Sequence, residues 1–224
     1  MRPWFLAVTT AAALLLSPLA TAQAATPAGF GFQSPLGTYN QASLQTGLAV
    51  YQANCAACHS IKAVKYRDLR GIGLTPPDIT ALTTGIHRFL TPSAKTATPV
   101  TPNNRLLALH PTQPGAQPGA QPAPDLSLAA ATMPHGPQSI VAFLRTHHPI
   151  KPGSVTLAHG KKPSVAVMTH DVATFLAWSA DPTLTQRKSI MLRAMIFLAI
   201  FGVIGFIALR GDRARLSSRA DRAR

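Results

Sequence analysis

Cys55-Ala56-Ala57-Cys58-His59 places two thiols three residues apart, with an imidazole directly after the second. On one helical turn, that spacing lets both thiols form thioethers with the two vinyl groups of one haem. The imidazole nitrogen then lies under the iron as proximal ligand. Both cysteines of the chain are consumed, so no other thiol competes. A thioredoxin-like redox pair has the same spacing but belongs inside a βαβ pattern, and none surrounds it here. A simple structural disulfide rarely spans so short a segment. The motif predicts one covalently bound haem c, attached at Cys55 and Cys58, with His59 as proximal ligand.

Two helices are needed to hold that turn. Asn40 is placed to cap a helix in which Leu44, Leu48, Tyr51 and Cys55 recur at four- and three-residue steps along one face. Gly47 sits beside that face and costs about 1 kcal/mol against Ala inside a helix, a cost that a close helix crossing explains. The partner is expected between about 165 and 180, where Met168, Val172, Phe175 and Leu176 repeat helically. Two helices crossing beside a haem are the plan of a small c-type cytochrome domain. Thr75-Pro76-Pro77-Asp78 reads as a third helix start, running to about Gly85. Residues 91–124 are Pro-rich and contain a tandem Pro-Gly-Ala-Gln repeat, so an extended loop is expected there. Asp125 is expected to cap a short helix bearing Leu126 to Ala131.

Two apolar segments flank this domain. Phe5 to Leu16 followed by Ala22-Gln23-Ala24 reads as a cleaved export signal over residues 1–24. About 12 apolar residues span only some 18 Å of helix, too short for a bilayer. Ile190 to Leu209, interrupted only by Arg193, covers about 30 Å and matches a hydrocarbon core. Arg210, Arg213, Arg215, Arg219, Arg222 and Arg224 follow, a flank that stays on the cytoplasmic side. The expected organisation is a periplasmic haem domain over 25–186, an anchor over 187–209 and a basic tail over 210–224. The protein is thus expected in a bacterial inner membrane, single-pass, with its C-terminus cytoplasmic. The net charge of +14 would ordinarily raise nucleic-acid binding. Half of that excess lies in residues 187–224, and the rest is scattered, so no nucleic-acid partner is expected.

These residues resemble the cytochrome c1 family, the haem subunit of the quinol–cytochrome c reductase complex. The resemblance begins with Gly37-Thr38-Tyr39-Asn40, Leu44-Gln45-Thr46-Gly47 and Val50-Tyr51, then runs through the pentapeptide to Lys65-Tyr66-Arg67-Asp68-Leu69. It continues at Pro124-Asp125-Leu126-Ser127-Leu128 and at Asp171 to Pro182, and Arg187-Lys188 precedes the anchor. The fold class implied is mainly α: a cytochrome c-like haem domain with a long Pro-rich loop and a single C-terminal transmembrane helix. The function implied is passage of electrons from a Rieske iron–sulfur protein to a soluble or tethered cytochrome acceptor, beside cytochrome b. Such a subunit is not catalytic alone. An anchored cytochrome of another reductase or oxidase, and a degenerate haem subunit with a scaffold role, are the alternatives.

The chain departs from the family pattern where the second iron ligand is due. The family carries a Met-Pro in a long stretch before its last helix; here that stretch is shortened to His147-His148-Pro149-Ile150-Lys151-Pro152-Gly153 and holds no Met. The only Met-Pro is Met133-Pro134, on a segment flanked by Pro and Gly. Met133 is therefore the distal-ligand candidate, with His147, His148 or an open iron as alternatives. Met168 falls on the crossing face and reads as core. His87, His110, His135, His159 and His170 read as surface or local hydrogen-bonding groups. The family places an Arg near a haem propionate, for which Arg105 is the nearest candidate. With five Asp and no Glu over 25–186, the domain lacks the acidic face that suits a basic cytochrome. Its acceptor is expected to be acidic, neutral or membrane-tethered.

Overall fold

The computed structural model describes residues 29–84, 86–88, 98–110, 121–157 and 160–222. The expected export signal, the tandem repeat at 114–120 and His159 lie outside them. The chain is mainly helical, as expected. Helix α1 spans Gln41–Asn54, α2 Pro76–Thr83, α3 Ala129–Thr132, α4 Pro137–Thr146, α5 Val165–Ala180 and α6 Leu184–Arg222. Strand β1 (Ile61–Lys65) pairs antiparallel with β4 (Arg105–Leu106), and β2 (His87–Arg88) with β3 (Thr98–Pro99). The Pro-rich stretch is thus not wholly an open loop. Its described residues supply two short strands, both confined to two-stranded pairings, where a missing Pro N–H costs little.

Helix α1 begins as its sequence dictates. The Asn40 side chain accepts a hydrogen bond from Ser43 N at 3.2 Å, satisfying one of the free donors of the first turn. Helix α5 is capped in the same way by Ser164, which accepts from Val167 N. Between Asp171 and Ser179 every residue of α5 is buried. A helix apolar nearly all round is a central core element, and α1, α3 and α4 all pack on it. The tightest of these contacts is at Gly47. A Cβ there would lie 2.1 Å from the Asp171 carbonyl oxygen and 2.7 Å from Phe175 Cβ. The glycine thus allows α1 and α5 to cross backbone to backbone. Met168 is fully buried in this core, as expected, and receives the Ser154 hydroxyl at its sulfur.

The helix at Pro76 carries the expected capping box. Thr75 N donates to Asp78 Oδ2 at 2.9 Å and Asp78 N donates to Thr75 Oγ1. Asp125, by contrast, is not a helix cap. Its Oδ1 accepts from Ser127 N and from the Ser127 hydroxyl, closing a local turn. Helix α3 starts later, and its cap position is Leu128, which has no side-chain acceptor.

The C-terminal segment is helical through both the expected anchor and the expected tail. Helix α6 begins at Leu184 and runs unbroken through Arg222, so anchor and basic tail are one helix. Its stretch Leu184–Gly211 is long and apolar enough to cross a membrane, and its most apolar window is wholly exposed. Lys188 joins it to the domain by donating to three carbonyls, those of Phe32, Ser34 and Gly37. Arg187 pairs with Asp181 at 2.7 Å across the same junction.

Gly47→Ala tests the crossing by setting two effects of opposite sign against each other. Alanine improves helix propensity by up to about 1 kcal/mol, while forced overlap in a packed core costs roughly 1–3 kcal/mol. With backbone as the colliding partner, the overlap wins, and the thermal midpoint of the detergent-solubilised protein is expected to fall. An unchanged or raised midpoint would contradict the close crossing.

Candidate functional site

The pentapeptide closes the C-terminal end of α1. Cys55 N donates to Tyr51 O at 2.9 Å, and the amides of Cys58 and His59 both donate to Cys55 O, at 3.1 and 2.9 Å. The buried Tyr51 hydroxyl donates to the His59 carbonyl at 2.7 Å, tying the turn back to the helix it ends. Burial, with the Tyr66, Cys55 and Asp125 groups nearby, raises the Tyr51 pKa far above the usual phenol value. The hydroxyl therefore stays a neutral donor.

Two outer segments brace the turn from either side. Leu109 and His110 amides donate to the Ala56 and Ala57 carbonyls, both at 3.0 Å, and Ala108 N donates to Ser60 Oγ. On the other side Leu126 N donates to Ser60 O at 2.8 Å and Ala63 N to Ser127 Oγ at 2.9 Å. This second brace places the Pro124 carbonyl 2.9 Å from His59 Nδ1. A carbonyl only accepts, so Nδ1 carries a proton and donates, which leaves Nε2 as the nitrogen available to a metal. Orientation by a backbone carbonyl is the usual support of a metal-binding imidazole. Sequence reasoning had not assigned Pro124 this part.

A cavity of about 720 Å³ opens beside the turn, within the roughly 300–1,000 Å³ of small-molecule and cofactor sites. Cys55, His59, Met133, His147 and His148 all line it. The pentapeptide and every protein candidate for the second ligand therefore share one space. Its walls are largely apolar, from Ile140 and Leu144 of α4 and Val172 and Leu176 of α5. Cys58 is half-buried in the turn and does not line this cavity. A smaller apolar cavity of about 310 Å³ lies on the other side of the turn, against Ala56, Leu106 and Leu109.

Met133 sits at the C-terminal end of α3, its amide donating to Ala129 O at 3.1 Å and its carbonyl accepting from Gly136 N at 2.9 Å. Its segment is a closed hydrogen-bonded turn, in which His135 and Gly136 both take positive φ. The thioether is thereby presented from a fixed backbone. Arg105 does not line the cavity; it is exposed on β4 and donates to the Lys62 carbonyl. His170 stacks on Phe30 and pairs with Asp171, a local role as expected.

Helix α4 was not anticipated. Its signals are present: Pro137 at the first helical position after Gly136, and Ile140, Phe143 and Leu144 at three- and four-residue spacing.

The two thiols are free rather than joined in a disulfide. Burial, with a smaller push from Cys58, raises the Cys55 thiol to about 11. A redox-active cysteine pair needs a depressed thiol pKa, so the thioredoxin-like reading loses support. Among the described residues, no group of three or more His, Cys, Asp or Glu is placed to hold a bare metal ion. One well-oriented imidazole, two thiols on its turn and a thioether sharing its cavity fit a porphyrin-held iron instead.

Asp125 holds the brace that carries Pro124. Burial works to raise its pKa, but hydrogen bonds from Ser127 and the Lys62 amide and the Lys62 charge outweigh it, and the net shift is downward. Stability from this carboxylate is therefore present above the ordinary carboxylate range near pH 4, and is lost as pH falls through its lower native value. Asp125→Asn is expected to cost about 1–2 kcal/mol at pH 7. The deficit should shrink as both proteins are acidified below about pH 4. Urea unfolding at several pH values measures both effects.

Comparison with known proteins agrees with this geometry. The model of the Cytochrome C1 family matches residues 30–152 and 142–215. The chain is 27% identical to "Cytochrome c1 1, heme protein, mitochondrial" of Arabidopsis thaliana, over 83% of this chain and 74% of that protein. It is 26% identical to "Cytochrome c1" of Rhodospirillum rubrum, over 73% of this chain and 78% of the relative. It is also 27% identical to "Cytochrome b-c1 complex catalytic subunit, mitochondrial" of Candida albicans, over 85% and 81%.

Proposed function

Because the chain belongs to the cytochrome c1 family, we propose that it is the haem-bearing, membrane-anchored electron carrier of a quinol–cytochrome c reductase. In this reading, it takes electrons from a Rieske iron–sulfur protein beside cytochrome b and passes them to a cytochrome acceptor. The observation that carries it is that Cys55, His59 and Met133 converge on one apolar cavity. One haem c would be attached through Cys55 and Cys58 and held by His59 and Met133. When bound, it supplies a one-electron iron couple.

Each of this chain's residues has a definable part. Tyr51 and Cys55 carbonyl contacts fix the turn that carries His59. The Pro124 carbonyl fixes the ring through Nδ1 and leaves Nε2 as the nitrogen that would meet the iron. The apolar walls from α4 and α5 keep water from the site, which favours the less charged ferrous state. A soft Met133 thioether favours that state further and raises the reduction potential, whereas His147 or His148 in its place would lower it. High potential suits an acceptor downstream of quinol oxidation.

Residues 25–186 would form the domain on the periplasmic side of a bacterial inner membrane, reached by way of an export signal at 1–24. Residues 187–209 would span the bilayer and 210–224 would remain cytoplasmic. Support comes from the exposed apolar stretch of α6 and from the arginines at its far end.

The experiment compares the visible spectra of the oxidised protein, Met133→Ala and His147→Ala/His148→Ala, each with haem content from an alkaline pyridine spectrum and from intact mass. The purified chain is expected to be heavier than its amino acids by one haem. Its red-edge thioether-to-iron absorption should be lost, and its potential should drop, in Met133→Ala alone. Loss only in the histidine variant would reassign the ligand. A mass equal to the bare polypeptide would overturn the whole reading.

A further inference from the structure

From Leu126 to His170 the chain contains no Asp or Glu, yet it holds Arg145, Lys151, Lys161, Lys162 and five of the eight histidines. This stretch builds one whole side of the cavity, through Met133, α4 and Pro149 to Ser154. Lys151 lines the cavity itself, and exposed Arg145 lies on the outward face of α4, away from the lining residues. Lys161 and Lys162 are exposed just beyond, on a segment tied back by Leu157 N donating to Lys161 O at 2.9 Å.

Among the described residues, the carboxylates outside this stretch are engaged elsewhere. Asp125 is engaged with Ser127 and Lys62. The Asp171 side chain is 8% exposed and bonded to His170. Asp68 and Asp78 are spent in their own turns, and Asp181 pairs with Arg187. Within the cationic rim stands an aromatic centre. Phe143 is 42% exposed, with the His147 ring stacked on it at 4.9 Å and His148 at 5.5 Å. An exposed aromatic centre on a surface stretch of uniformly basic charge is the anatomy of a protein docking surface.

We propose that this rim docks an acidic protein, the electron-accepting partner of the site, an inference that rests on the function proposed above. An anionic lipid surface is the other source of negative charge, and the placement argues against it. The start of α4 lies at the anchor end of the domain: Gln138 bonds Gln33, beside the carbonyls that Lys188 grips. The ten residues of α4 then carry the chain about 15 Å to the rim.

The test uses the full-length, haem-loaded protein in nanodiscs. Two probes share one redox centre and differ in charge: a basic cytochrome c, and the same protein with its lysines succinylated. Equilibrium binding is read by fluorescence anisotropy of the labelled probe, and electron transfer by stopped flow, each across ionic strength. The succinylated probe is expected to bind more tightly and to lose roughly tenfold in affinity between low and physiological salt. Arg145→Glu/Lys161→Glu/Lys162→Glu should abolish that binding with haem content unchanged. Preference for the basic probe, binding indifferent to salt, or an unaffected variant would overturn the proposal. So would loss of haem in the variant, which would assign the cations to the prosthetic group. So too would abolition of binding on changing the nanodisc lipid from neutral to phosphatidylglycerol, which would assign them to the membrane. Salt-sensitive binding by a preparation that holds no haem would support the docking surface while overturning the electron-carrier reading.

Discussion

At Gly47, the backbones of α1 and α5 come so close that no side chain fits between them. That contact sets the geometry of everything beside it. It brings Tyr51 into the core, where its ring meets Phe175 at 5.9 Å and its hydroxyl reaches the His59 carbonyl. The last turn of α1, and the pentapeptide that ends it, are therefore positioned by a helix more than a hundred residues downstream. Were the crossing wider, Val172 and Leu176 of α5 would no longer share a cavity with Cys55 and His59. The helix-propensity cost of one glycine is small against that requirement.

The site is then finished by loops rather than helices. Segments 108–110 and 124–127 bind the turn from opposite sides through backbone amides and short hydroxyl contacts. Using carbonyls and amides makes the bracing tolerant of side-chain change, since the groups that matter are carried by every residue. The exceptions are Ser60, Asp125 and Ser127, whose side chains complete the pattern. Asp125 performs a local task, holding the 124–127 segment against β1 so that one carbonyl meets one ring nitrogen.

Much of this was legible in the residues. Asn40, Gly47, Met168 and the Thr75–Asp78 cap each carry a local signal whose physical cause is short-range or one-to-one, and each took its expected place. The pentapeptide was equally plain, because its chemistry depends on spacing alone. Asp125 was misjudged because an Asx turn and a helix cap use the same side chain on the same backbone donors. Helix α4 was missed amid prolines and glycines, although Pro137 marks its first turn. The Pro124 carbonyl was invisible for a deeper reason: a backbone acceptor has no residue type. Met133 could be singled out as a rare thioether, but only the packing of α3 and α4 on α5 brings it to the same cavity as His59.

The Lys188 ammonium donates to three carbonyls of the 30–37 segment, and Tyr39 N reaches Thr185 Oγ1 a turn earlier. With Arg187 locked to Asp181, the bilayer-crossing rod and the globular head turn as a single lever, with no slack between them. The cavity shared by Cys55, His59 and Met133 therefore keeps a set position relative to the axis of α6. Under the function proposed above, a donor and an acceptor would each have to come to that cavity in turn, since these contacts hold the head on its rod.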